Sequence, residues 1–139
     1  MKILIVEDDF VSRKLMHRLL LPYGECDLAA NGQEALEAFR LALEEWKPYA
    51  LICLDIMMPD MDGHTVLKEI RGMEEKSNIK KAVRSKIIMT SALADKENVI
   101  SALKAECSGY LVKPIPRQKL LEKLIELGLL APEEINQSG

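Results

Sequence analysis

The chain has 139 residues, 48% hydrophobic and 29% charged, with 19 Lys and Arg against 22 Asp and Glu for a net charge of −3. That length suits one ordinary domain, which buries about two-thirds of the surface its unfolded form exposes. The composition excludes a disordered or collagen-like chain, and so small a negative charge disfavours nonspecific nucleic-acid binding, which needs a basic excess.

Taken in chain order, apolar runs alternate with stretches of helical spacing. Ile3 to Val6 reads as a first strand, followed by a helical stripe of Val11, Leu15, Arg18 and Leu19 that Pro22-Tyr23-Gly24 ends. Cys26 to Ala30 is a second strand. Ala35, Leu36, Phe39, Leu43 and Trp46 form the next stripe, closed by Pro48. Tyr49 to Leu54 is a third strand, and Val66, Leu67 and Ile70 mark a third helix. Gly72 to Lys86 is basic and long for a connection, so it reads as a helix end plus a flexible surface loop. Ile87 to Met89 is a fourth strand, and Val99, Ile100 and Leu103 mark a fourth helix. Tyr110 to Val112 is a fifth strand, and Leu120, Leu121, Leu124 and Ile125 mark a fifth helix. The tail 131–139 is polar and expected to fray.

This alternation implies an α/β fold, a doubly wound parallel sheet with helices on both faces. The strands are continuous apolar runs, as strands covered on both sides are. Three cysteines without a C-x-x-C pair fit a reduced interior better than disulfides or a zinc site. No apolar stretch approaches the ~18 residues of a membrane helix, and the first run stops at Glu7, too short for a signal peptide. A soluble cytoplasmic protein is expected, with neither membrane nor nucleic acid as partner.

The chemistry sits at the strand ends. Glu7-Asp8-Asp9 follows the first strand, Asp55 the third, Thr90-Ser91 the fourth and Lys113-Pro114 the fifth. In an open parallel sheet all these ends share one edge, where ligands bind near the switch in strand order. Clustered carboxylates raise one another's pKa unless a cation compensates. Mg²⁺ takes one or two carboxylates, waters and a phosphoryl oxygen, so carboxylates, a hydroxyl and a lysine together make an inventory for phosphoryl transfer.

Four segments carry a resemblance. They are Ile-Leu-Ile-Val-Glu-Asp-Asp at the start, Leu-Asp-Ile-Met-Met-Pro-Asp-Met-Asp-Gly from Leu54 to Gly63, Ile-Met-Thr-Ser-Ala from Ile88 to Ala92, and Gly-Tyr-Leu-Val-Lys-Pro from Gly109 to Pro114. In this order they resemble the receiver domain of two-component response regulators, over residues 2 to about 127. The resemblance implies a flavodoxin-like five-stranded sheet of order 2-1-3-4-5. It implies a receiver domain over 1–130 with no output domain, similar to chemotaxis-type single-domain regulators. Asp55 then resembles the phosphoacceptor and Asp8 the direct Mg²⁺ ligand. Glu7 matches a water-mediated partner of the metal, and the backbone carbonyl of Met57 a third protein ligand. Lys113 resembles the phosphate-pairing lysine, before a cis bond to Pro114.

Ser91, followed by Ala92, matches the family hydroxyl better than Thr90, which alternation points the other way. Tyr110 matches the switch aromatic, expected beside Val99, Leu103, Lys104 and Lys119. The implied partners are a histidine kinase or histidine phosphotransfer protein and an unknown downstream protein on the face of fourth helix, fifth strand and fifth helix. The implied chemistry is self-phosphorylation and self-dephosphorylation, not enzymatic turnover. Met57 and Leu93 match the positions that flank the phosphoryl group, where apolar side chains would hinder water.

Two alternatives use the same residues. Asp60-Met61-Asp62-Gly63-His64-Thr65 is similar to the signature of haloacid-dehalogenase-type phosphatases, though with an extra residue before the Thr and no strand preceding it. A pseudo-receiver would use the fold without phosphorylation, which the intact Asp55 and Lys113 oppose. Asp60, Asp62 and Gly63 read otherwise as loop and cap residues, and His17 and His64 as solvent-facing.

Overall fold

The computed structural model describes residues 1–92, 97, 101, 104 and 106–134. Five parallel strands are β1 (Lys2–Val6), β2 (Glu25–Ala29), β3 (Leu51–Asp55), β4 (Lys86–Ser91) and β5 (Gly109–Val112), in the order β2-β1-β3-β4-β5. Interleaved with them are α1 (Phe10–Leu20), α2 (Gly32–Glu44), α3 (Gly63–Lys76) and α4 (Arg117–Glu126). Val99, Ile100 and Leu103 of the expected fourth helix lie outside the described residues, while Glu97, Ser101 and Lys104 of the same stretch are helical.

The period of two along each strand divides the core into two layers. Leu4, Val6, Ile52, Leu54, Ile87 and Met89 pack with Phe39 of α2 and Val66, Leu67 and Ile70 of α3. Ile3, Ile5, Leu51, Cys53 and Ile88 pack with Leu20 of α1 and Leu120, Leu121 and Leu124 of α4. Helices thus cover both faces. The strand order reverses between β1 and β3, so the residues following those strands flank the switch point.

Three local readings change. The buried side of α1 is Met16 and Leu20, while Phe10 (63% exposed), Val11 (61%) and Leu15 face outward. Asp9 caps this helix by accepting from Ser12 N at 2.8 Å, and the i, i+4, i+8 row from Ser12 through Met16 to Leu20 is the one that faces the sheet. Trp46 leaves the apolar stripe of α2, because the helix has ended at Glu44 and the indole is 90% exposed. Gly72 to Lys86 is a bonded segment and not a loose loop. Its start continues α3, Arg84 Nε donates to Ile79 O at 3.0 Å, and Ser85 Oγ donates to Tyr49 O at 2.6 Å.

Candidate functional site

The carboxyl edge of the sheet assembles the acidic residues by simple continuation of the strands. Glu7 N donates to Ala29 O at 3.0 Å, extending the β1–β2 ladder by one residue and burying the Glu7 side chain. Arg13, one turn into α1, donates from Nη1 to Glu7 O at 2.8 Å and to Asp8 O at 3.4 Å, fixing the acidic turn. Asp55 ends β3, buried, and its Oδ1 accepts from Met57 N at 3.2 Å. The chain must turn sharply here. Gly63 N donates to Ile56 O at 2.9 Å, and a Cβ on Gly63 would lie 2.4 Å from Asp55 O, so only glycine fits.

Lys113 arrives from the other side of the sheet. Its backbone N donates to Ser91 O at 2.8 Å, and the Lys113–Pro114 bond is cis. Its Nζ lies 2.5 Å from Glu7 Oε2 and 3.4 Å from Asp55 Oδ2. One carboxylate oxygen from each of Glu7, Asp8 and Asp55 falls within 4.8 Å of the others. Two buried carboxylates therefore share one ammonium group, with the Asp8 carboxylate beside them.

The electrostatics record that imbalance. Burial pushes the Asp55 carboxyl up to about 7, with the Glu7 charge adding to the rise and Lys113 opposing it. Burial alone would lower Lys113, but bonds and charge from Glu7 and Asp55 outweigh it and hold the ammonium above its ordinary value. A site with excess negative charge and oxygen donors fits a hard divalent cation such as Mg²⁺.

Other candidates fall into place around it. Asp9 belongs to the helix cap; its carboxyl is held below the ordinary value by the bonds from Ser12, and it is not in the acidic cluster. Thr90 pairs with Asp55 in the ladder, and Ser91 lies one residue nearer the edge, opposite Val112; both are buried. Tyr110 pairs with Met89 and packs against the α2/α3 layer, to which alternation also assigns Ser91. Tyr110, Val112, Pro116 and Lys119 line one cavity of about 340 Å³. The Met57 side chain is 56% exposed, and Leu93 lies outside the described residues.

The phosphatase-like motif has other duties. Asp62 caps α3 by accepting from Thr65 N at 2.9 Å, and Asp60 turns the loop at φ 67°. His64 is half-buried and not solvent-facing, with both ring nitrogens covered and unpartnered among the described residues. Sequence reasoning missed the exposed apolar row Phe10, Val11 and Leu15 beside the site.

The family model for the response regulator receiver domain matches residues 3–125. The chain belongs to that family. Chemotaxis protein CheY of Bacillus subtilis is 34% identical over 125 residues, spanning 88% of this chain and 93% of that protein. The osmosensing histidine protein kinase SLN1 of Saccharomyces cerevisiae is equally 34% identical over 127 residues, but the match covers only 10% of its length. Among solved structures, Vibrio cholerae CheY4 superposes with a TM-score of 0.76 at 28% identity, covering 91% of this chain and 97% of that one. The receiver domain of the Arabidopsis thaliana histidine kinase CKI1, complexed with Mg²⁺ and BeF3−, gives 0.78 at 25% identity, covering 91% and 89%. The fold expected of a receiver, order 2-1-3-4-5, is the fold observed. Among the described residues of this receiver, no helix is long and apolar enough to cross a membrane.

Proposed function

We propose that this receiver, acting over residues 1–130, accepts a phosphoryl group on Asp55 from the phosphohistidine of a kinase or phosphotransfer protein. An Asp55 carboxylate oxygen attacks phosphorus in line, forming the acyl phosphate O–P bond as the P–N bond breaks and returns its electron pair to the imidazole. The observation that carries this reading is the placement of Asp55 Oδ2, 3.4 Å from Lys113 Nζ and within the acidic cluster. Glu7, Asp8 and Asp55 would hold Mg²⁺, with the Met57 backbone carbonyl as a further ligand. Bound there, the ion supplies charge that neutralises the phosphoryl oxygens.

The residues of the chain supply the rest. Lys113 stabilises the oxygens that Asp55 leaves uncompensated. Glu7 orients Lys113 through their 2.5 Å pair. The Ser91 hydroxyl engages the phosphoryl group, and Tyr110, on the same side of the sheet, follows it inward. That movement alters the groove of Tyr110, Val112 and Lys119, where the downstream protein binds. Such switching is a population shift driven by contacts the phosphoryl group makes in one state only. The exposed Phe10, Val11 and Leu15 beside Asp8 offer an apolar landing for the phosphodonor protein. CKI1 in complex with Mg²⁺ and BeF3− supports both the metal and the phosphoryl site by analogy.

The test is incubation with acetyl phosphate and Mg²⁺, followed by intact-mass measurement. One phosphoryl group should be added, Asp55→Asn should take none, and Asp60→Asn should behave as wild type. Labelling that persists in Asp55→Asn and vanishes in Asp60→Asn would overturn the assignment in favour of the phosphatase-like reading.

A further inference from the structure

The amino edge of the sheet, opposite the acidic site, carries an apolar groove of about 500 Å³. Leu43, Trp46 and Pro48 line it from the end of α2, and Ile79 and Val83 from the segment after α3. A net-basic pocket of about 150 Å³ adjoins it, where Arg71, Lys81, Arg84 and Lys86 outnumber the single acid Glu106. Ser85 lines both, and the short turn Lys81–Val83 presents Val83 to the groove and Lys81 to the pocket. Among the described residues Lys81, Arg84 and Lys86 have no ion pair.

Trp46 stands at the lip in an unusual state. Lys47 N donates to Ala42 O at 3.0 Å and Trp46 N to Leu43 O at 3.2 Å, the paired bonds of a helix end that favours glycine in the left-handed region. Trp46 occupies that position at φ 59°. The end of α3 makes the same bonds with Asn78 at φ 57°, a residue that tolerates the conformation. The indole regains nothing inside the chain, being 90% exposed. Neither backbone preference nor burial within the chain accounts for a tryptophan here.

We infer that this edge is a second docking surface, for a polypeptide segment of a partner protein that places an apolar anchor in the groove and acidic residues against Lys81, Arg84 and Lys86. The charge distribution selects this occupant. The basic pocket on one side wants carboxylates. Glu44 lines the groove itself, and the carboxyl ends of α2 and α3 direct partial negative charge there, which disfavours an anionic bilayer lying across the whole edge. A tryptophan beside a concave apolar patch is the side-chain chemistry on which protein interfaces concentrate their affinity. None of these residues belongs to the acceptor site, so this surface is independent of the proposed phosphoryl transfer.

Trp46 is the single tryptophan of the chain, so its fluorescence reports on the groove alone. Short peptides displayed on phage would be selected on the immobilised full chain, and the consensus peptide synthesised as the probe. Enriched sequences should join a large apolar residue to Asp or Glu, and the peptide should shift the emission to the blue. Trp46→Gly and Arg84→Glu should each weaken the peptide roughly tenfold or more by calorimetry. Trp46→Gly should melt no lower than wild type, because glycine suits the backbone, so its lost binding would not be unfolding. Asp55 phosphorylation should be unchanged in both. Equal binding to wild type and Trp46→Gly, or no enrichment, would overturn the proposal. So would a blue shift on raising the protein concentration alone, which indicates a second copy. A shift with phosphatidylglycerol vesicles and none with peptide would assign the edge to a membrane and overturn it as well.

Discussion

Both edges of the sheet bury charge, and they balance it differently. At the amino edge one carboxylate meets one guanidinium: Glu74 accepts from Arg71 Nη1 at 2.7 Å and from Ser85 N at 2.9 Å. Arg71 spends its remaining donors on the carbonyls of Ser85 and Glu106. At the carboxyl edge the buried Glu7 and Asp55 both pair with Lys113, the one cation in ion-pair contact with them among the described residues, and the exposed Asp8 adds a third carboxylate. The balanced cluster ties α3 to β4 and asks for nothing more. The unbalanced one carries a standing demand for positive charge, and a demand that the fold leaves unmet is where ligands act.

The largest expected effect comes from cancelling the excess. Asp55→Asn should abolish phosphoryl incorporation, yet raise the melting temperature of the protein in the absence of divalent ions, because a buried repulsion has gone. A lower melting temperature in chelator would break the comparison. Next comes the balanced cluster, where removing a partner leaves the other buried and unpaired. Glu74→Ala should cost about 3 kcal/mol in urea unfolding, while the folded fraction still accepts phosphate at Asp55. A loss under 1 kcal/mol would mean that the network at this edge is dispensable.

The dependence on pH sharpens the contrast. In the unfolded chain Asp55 ionises near the ordinary value of 3.8; in the metal-free fold it ionises at about 7. Between these values the folded form holds a proton that the unfolded form has released, so stability should fall as pH rises through that window and level off beyond it. Mg²⁺ should restore the loss above pH 7, and Asp55→Asn should flatten the slope. Melting curves across pH, with and without Mg²⁺, decide this. The smallest effect is expected at Met57. Its thioether offers no strong acceptor to hold a hydrolytic water, so Met57→Asn should speed decay of the acyl phosphate. The change should be only a few-fold, since the side chain is half open to solvent. An unchanged decay rate would remove Met57 from that role.

The two edges were also unequally legible in the sequence. Asp55, Lys113 and the acidic turn could be read because each directly follows an apolar strand, and the topology of a parallel sheet brings such ends together. The Arg71–Glu74–Ser85 network could not, since nothing in a polar stretch says which charge turns inward. Trp46 misled for a related reason. Helical spacing continued past Glu44 on paper, but the hydrogen bonds of the helix end reversed the backbone there and threw the ring outward. The stripe of α1 was legible as a helix and misread by one position, because two rows one residue apart, Val11-Leu15-Leu19 and Ser12-Met16-Leu20, both carry apolar residues and spacing does not choose between them.

Lys113 follows the last strand of the sheet and reaches back 106 residues to Glu7. During synthesis, a nascent chain that has emerged only through β4 already carries all three carboxylates but not the lysine that pairs with two of them. Under the proposed function, phosphorylation competence waits on β5 and the residue that follows it. On that reading a copy truncated before Lys113 lacks the lysine that pairs with Asp55, and an incompletely folded one has not yet placed it, so neither offers a finished acceptor.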